Sequence, residues 1–215
     1  MSDRPPAAPG DISASHLRVA SGGTFGVRNV WCVGRNYRAH AIEMGTDPDR
    51  NSPLFFAKPA SAVTCGDQTV PYPPRTTELH HEVELVVAIG VPARDVDVAT
   101  ALTHVFGYAV GIDLTRRCAQ RMAKQRGHPW ALAKGFDASG PCSELVPAAD
   151  FGGAASARIT LAINGAMRQS STLDQLIWSV PEVVAELSTL VTLQPGDLIF
   201  TGTPAGVGAV SVGDS

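Results

Sequence analysis

The sequence has no run of about 18 apolar residues of the kind that spans a bilayer, and its start, Met1-Ser2-Asp3-Arg4-Pro5-Pro6, lacks the apolar core of a secretory signal. The four cysteines, Cys32, Cys65, Cys118 and Cys142, lie far apart with no C-x-x-C pair. That argues against a zinc knuckle or a disulfide frame and for free thiols in a reducing compartment. Charge is sparse: 17% of residues are Asp, Glu, Lys or Arg, and the net charge is −3 with both signs scattered. No basic stripe is offered to a phosphate backbone, so nucleic acid is not expected as a partner. The expectation is a cytoplasmic, soluble protein with no membrane partner.

What is present is apolar and turn-rich. Of the 215 residues, 44% are hydrophobic, and 21 glycines and 16 prolines punctuate them, which favours a strand-dominated body with a sizeable core over a helical bundle. Residues 1–15, rich in Pro, Ala, Ser and Gly, read as a loose N-terminal arm, and 16–215 as one domain.

Buried strands are expected at Val30–Gly34 and Val105–Ile112, a central apolar strand at Glu82–Ile89, and further strands beginning in Pro53–Pro59 and at Leu198–Phe200. A helix is expected over Asn36–Met44, stopped by Gly45 and followed by a polar loop to Pro53, the two together forming a mobile lid. A second helix is expected from Thr115 to Arg126, closed by Gly127. Asn164-Gly165 suits the type I′ turn of a hairpin after Ile159–Ile163. Ser179 and Glu182 form a capping box that starts a helix running to about Leu190. The Gly-rich stretch Thr201–Gly208 lacks the Lys-Ser/Thr ending and following helix of a phosphate-binding loop. With no regular βα alternation, the fold class is α+β with a mixed β-sheet.

Within the central strand, Glu82 and Glu84 project to the same face, with His80 behind them, at about the 7 Å repeat of alternate strand residues. Two desolvated carboxylates at that spacing need protonation, a basic partner or a cation, and a hard divalent ion answers both repulsion and lost hydration. Taken alone, the pair also fits the wet face of an edge strand. Asp113, at the end of the Val105–Ile112 strand, reads when taken alone as a turn or cap residue. His40 and Glu43, spaced i and i+3 on one helix face, can hydrogen-bond, which would fix the tautomer of the imidazole and make its other nitrogen a general base. Lys134 lies in an apolar setting that favours pairing with an anion. Arg117 and Gln120 share a helix face.

Several separated stretches together resemble the fumarylacetoacetate hydrolase family: Val33-Gly34-Arg35-Asn36-Tyr37 with His40 and Glu43, Phe56-Ala57-Lys58-Pro59, His80-His81-Glu82-Val83-Glu84-Leu85, Gly107–Asp113, Trp130–Asp137 and Thr201-Gly202-Thr203-Pro204. They run in the family's order from about Val30 to the end. Glu43–Arg50 and Tyr72-Pro73-Pro74 look most like the bacterial fumarylpyruvate hydrolases of that family, with acylpyruvases next.

The resemblance implies a β-roll with a short helical lid, in which Glu82, Glu84 and Asp113 bind Mg²⁺ or Mn²⁺. It implies His40 and Glu43 as a catalytic dyad on the lid, and Lys134 as the group that stabilises substrate and intermediate. Lys58, Arg117, Gln120 and Thr203 match positions around the metal and the keto-acid carboxylate, and His80 and His81 match positions that support or pack rather than ligate. The implied activity is metal-dependent hydrolysis of a carbon–carbon bond in a β-diketo acid such as 3-fumarylpyruvate, a step of aromatic catabolism, by a homodimer. Acylpyruvate hydrolysis or oxaloacetate decarboxylation by the same metal–enolate chemistry, or a non-catalytic metal-binding homologue, are the alternatives. Arg35, Arg38 and Arg50 are cationic candidates for the substrate's far end. Gly213-Asp214 looks like a turn before strands that family members carry and this sequence does not, so a C-terminally truncated domain is a further expectation.

Overall fold

Short apolar runs cut by Gly and Pro give short strands. A computed structural model describes residues 15–43, 45, 52–66, 68–152 and 156–215. Among them the elements run β1 His16–Arg18, β2 Thr24–Gly26, β3 Val30–Gly34, α1 Arg38–Glu43, β4 Leu54–Lys58, β5 Val63–Cys65, β6 Leu79–His81, β7 Val83–Ile89 and β8 Val105–Ile112. There follow β9 Thr115–Arg116, α2 Arg117–Arg126, α3 Ala131–Lys134, β10 Gly140–Cys142, β11 Val146–Pro147, β12 Arg158–Ile163, β13 Ala166–Thr172, α4 Val180–Leu190, β14 Leu198–Phe200 and β15 Gly208–Val210. The expected N-terminal arm, apart from Ser15, and most of the expected lid loop lie outside the described residues, as do Met44 and Arg50.

The main sheet has the order β4-β3-β14-β7-β8-β10-β5, with β11 also paired to β8. β14 runs parallel to β3 and β10 parallel to β5, whereas β7 is antiparallel to both its neighbours, so the sheet is mixed as expected. A second sheet joins β15, β6 and β9.

Alternation along β7 builds two cores. Val83, Leu85, Val87 and Ile89 pack with Val180, Val183, Val184 and Leu187 of α4, while Val86 and Ala88 pack with Cys32, Ala109, Leu198 and Phe200 on the opposite face. Glu84 shares the parity of Val86, and this puts a carboxylate at the end of an apolar row. The α4 start is the expected capping box, with Glu182 Oε2 accepting from the Ser179 N–H at 2.9 Å. Asn164 and Gly165 take φ values of 51° and 79°, as a type I′ turn requires.

Several boundaries differ from the sequence reading, and three of them have a clear structural cause. The strand expected from Glu82 begins at Val83, because β6 leaves for the second sheet and Glu82 is the joint between them. The second helix starts at Arg117, since Thr115 and Arg116 pair with β6. The first starts at Arg38, because the Asn36 side chain is spent elsewhere: its Nδ2 donates to the carbonyls of Trp178 (2.9 Å) and Thr201 (2.8 Å), and its Oδ1 accepts from the Trp178 N–H. Gly45, at φ 68°, turns the chain after α1 with its N–H donating to the Ile42 carbonyl.

Candidate metal centre and active site

Glu82, Glu84 and Asp113 meet where β7 begins and β8 ends, tied by the Asp113 N–H donating to the Glu82 carbonyl at 2.8 Å. Each offers an oxygen within 4.8 Å of the others. Their exposures of 5%, 2% and 0% rule out the wet edge-strand reading, as does the central place of β7 in the sheet.

The cluster is asymmetric. Glu82 accepts from Lys134 Nζ at 2.8 Å and from Arg117 Nη2. Burial alone would push its carboxyl up, but the Lys134 and Arg117 charges outweigh burial and hold it down to about 2. Among the described residues Glu84 accepts only the Gly202 N–H, at 2.8 Å, and it is pushed well above the carboxylate range by burial and then by the charges of Asp113 and Glu82. Asp113 Oδ2 accepts from Lys134 Nζ at 2.5 Å. Its Oδ1 lies 2.8 Å from Lys58 Nζ, yet off the line a hydrogen bond needs, so that buried oxygen has no aligned donor. A carboxylate with no ion-paired cation among the described residues and a carboxylate oxygen with no aligned donor, in an all-oxygen set, fit a hard divalent cation such as Mg²⁺ or Mn²⁺.

The two buried lysines differ in placement. Lys134 spends its donors on Glu82, Asp113 and Thr115 Oγ1 (2.7 Å) and lines the cleft. Burial would lower its proton affinity, but the Asp113 and Glu82 charges raise it, so the ammonium stays charged. Lys58 lies beneath the cluster, bonded to the Ser139 carbonyl (2.9 Å), Ser139 Oγ (3.0 Å) and the Lys134 carbonyl, and is not among the residues that line the cleft. Its contacts position Asp113 and the Lys134 backbone.

The cleft, partly open to solvent, brings His40, Arg117, Gln120, Lys134 and Thr203 over the three carboxylates. His40 Nδ1 is 3.2 Å from Glu43 Oε2. A proton on Nδ1 facing that carboxylate leaves Nε2 with its lone pair, the state of a general base. Glu43 also accepts the Gly206 N–H at 3.1 and 3.3 Å. Arg117 Nη1 donates to Gln120 Oε1 at 2.6 Å and its Nε to His80 Nδ1 at 3.3 Å. His80 is thereby tied to Arg117 and Glu78, and His81 to Gln169, so both histidines support the site from outside the carboxylate cluster.

Sequence reasoning missed Gln169. It is buried in β13, where its Oε1 accepts from the Val83 N–H (3.0 Å) and faces His81 Nδ1 (2.9 Å), and its Nε2 donates to Thr203 Oγ1 and the Pro204 carbonyl, both at 2.8 Å. It staples the hairpin, β7 and the Thr201–Gly208 stretch together. No periodicity marks such a residue, since it is one polar side chain on a hairpin face. That Gly-rich stretch, which lacks a phosphate loop's features, closes over the acids: Gly202 holds Glu84, Thr203 lines the cleft and Gly206 holds Glu43.

An α+β roll built around a buried three-carboxylate cluster with a His–Glu pair across one cleft defines a metal-centred enzyme scaffold. The family described as Fumarylacetoacetate (FAA) hydrolase C-terminal matches residues 29–215, and the chain belongs to it. A fumarylpyruvate hydrolase of Ralstonia sp is 45% identical over 173 residues, covering 80% of this chain and 90% of that protein. The mitochondrial oxaloacetate tautomerase FAHD1 of Bos taurus is 40% identical over 187 residues, 87% of this chain and 84% of that one. The crystal structure of fumarylpyruvate hydrolase from Pseudomonas aeruginosa, in complex with Mn²⁺ and pyruvate, superposes with a TM-score of 0.90 at 49% identity, covering 94% of this chain and 88% of that chain. Among the described residues no helix is long and apolar enough to cross a membrane.

Proposed function

We propose that this chain hydrolyses a carbon–carbon bond in a β-diketo acid, with 3-fumarylpyruvate as substrate and fumarate and pyruvate as products. The observation that carries the reading is the His40–Glu43 pair facing the Glu82–Glu84–Asp113 cluster across a single cleft. The three carboxylates would hold Mg²⁺ or Mn²⁺, which when bound supplies a Lewis acid for the 2-oxo acid end of the substrate.

His40, its Nδ1–H held by Glu43, takes a proton from water at Nε2. The water oxygen bonds to the carbonyl carbon remote from the carboxylate, and the adjacent carbon–carbon bond then breaks. Pyruvate departs as its enolate and recovers a proton from the His40 imidazolium, so the two products together gain one water. Lys134 and Arg117 put positive charge where the enolate and carboxylate oxygens develop theirs. Thr203 Oγ1 already accepts from Gln169, which leaves its own O–H to donate into the cleft. Lys58 holds Asp113 from below.

Purified protein with Mg²⁺ or Mn²⁺, assayed in parallel on fumarylpyruvate, acetylpyruvate and oxaloacetate, tests the reading. Fumarylpyruvate should be consumed fastest, and failure to cleave either acylpyruvate would overturn it. A second reading, oxaloacetate as substrate, is favoured by the similarity to the Bos taurus tautomerase. Decarboxylation of oxaloacetate needs the cluster but no activated water, so His40→Ala would sharply slow acylpyruvate cleavage and spare it. The functional unit is taken to be a single catalytic domain over 16–215, acting as a cytoplasmic homodimer, for which light scattering of the purified protein should return twice the chain mass.

A further inference from the structure

Two cations line the cleft that neither the carboxylate cluster nor the dyad uses. Arg35 and Lys124 both face into it, and among the described residues neither has an acidic side chain in ion-pair contact. Arg35 stands at φ 60°, in the left-handed region that a non-glycine residue seldom adopts. The buried Asn36 brace to Trp178 and Thr201 holds the chain there. Lys124 sits on α2 with Nζ 5.2 Å from the centroid of the Trp130 ring, which lines the same cleft. Partial burial lowers its proton affinity, and the neighbouring charges of Arg35 and then Arg117 lower it further, so the cations lie within electrostatic reach of one another. Mutually repelling cations at the wall of a cleft are a cost in the free protein that an anion removes.

We propose that Arg35 and Lys124 recognise a second carboxylate at the substrate end remote from the 2-oxo acid, so that the site selects dicarboxylic over monocarboxylic substrates. This rests on the keto-acid reading above. Of the three arginines the sequence offers for this task, Arg35 lines the cleft, Arg38 is not among the lining residues, and Arg50 lies outside the described residues. Lys124, which the sequence did not single out, completes the pair.

The test is calorimetric titration of the Mg²⁺-loaded protein with 2-oxoheptanedioate and 2-oxoheptanoate, which differ only in the far carboxylate. The native protein should bind the diacid roughly tenfold or more tightly, the worth of one charge-assisted hydrogen bond. The Arg35→Gln/Lys124→Gln double variant should bind both acids alike with unchanged Mn²⁺ affinity, and Lys124→Gln alone, which leaves the Arg35 turn intact, should lose part of the preference. Equal binding of the two acids by the native protein, or a preference surviving in the double variant, overturns the inference alone. Binding of neither acid by the native protein overturns the keto-acid reading and the inference with it.

Discussion

The Gly206 N–H donates to the carboxylate of Glu43, 163 positions earlier in the chain, and the same carboxylate faces His40. The helix carrying the dyad is thus pinned to the stretch that, through Gly202, also holds Glu84. One Gly-rich segment connects the dyad to the carboxylate cluster.

Gly206→Ala should break this clasp. The residue has φ 96°, and an added Cβ would come 2.1 Å from the Arg168 carbonyl oxygen, which is backbone and cannot swing aside. A loss of about 2–4 kcal/mol is expected, read as a lowered midpoint in denaturant unfolding. An unchanged midpoint would show that the segment accommodates the methyl group and that the clasp is not rigid.

His40→Ala should keep Mn²⁺ binding and lose about 10²–10⁴-fold in turnover of the acylpyruvate, the usual worth of a positioned general base. Glu43→Gln should lower turnover through the tautomer of His40 while leaving metal affinity unchanged. Near-native hydrolysis by His40→Ala would remove the dyad from the mechanism.

Glu82→Ala and Glu84→Gln separate metal binding from folding. Removing Glu82 leaves Lys134 and Arg117 without a shared anion, at a cost of about 3–5 kcal/mol. Glu84→Gln strands no cation, and its amide oxygen can still accept from Gly202, so stability should change by only about 1 kcal/mol. Both variants should lose Mn²⁺ binding, followed by electron paramagnetic resonance; native affinity in Glu84→Gln would mean the ion sits elsewhere.

Gln169→Leu should destabilise the fold by about 2–4 kcal/mol, because it strands the Val83 N–H and the Pro204 carbonyl in a buried setting. Thr203 should lose its orientation with it. Thermal unfolding checks the first effect, and a raised KM for the acylpyruvate checks the second.

The thiols should react in a definite order. Cys32 and Cys142 are buried, and burial pushes the first well up and the second to about 12. For Cys118 slight burial acts upward, but hydrogen bonds from Thr77 and from the Glu78 and Ala119 backbone outweigh it and lower the thiol. A lower value means more thiolate near neutral pH. Iodoacetamide should therefore alkylate Cys118 ahead of Cys32 and Cys142, as peptide mapping would show, and equal labelling in the native state would contradict the burial.

The strands whose apolar runs are bounded by turn residues, Val30–Gly34, Val105–Ile112 and Leu198–Phe200, and the capped helix after Ser179 can be read from the chain's residues without the fold. These are local properties, set by side-chain pattern and cap chemistry within a few residues. The parity of Glu82 and Glu84, and the i, i+3 spacing of His40 and Glu43, were likewise legible. Which carboxylate is neutralised was not. Lys134 and Arg117 both reach Glu82 and leave Glu84 with one backbone N–H, an outcome of how β7, β8, α2 and α3 converge. The break at Glu82, the Asn36 brace, the Gln169 staple and the pairing of Arg35 with Lys124 in one cleft also belong to tertiary structure alone. Each joins segments remote in sequence, and the free energy of a hydrogen bond or charge contact depends on a distance and a degree of burial that no local pattern encodes.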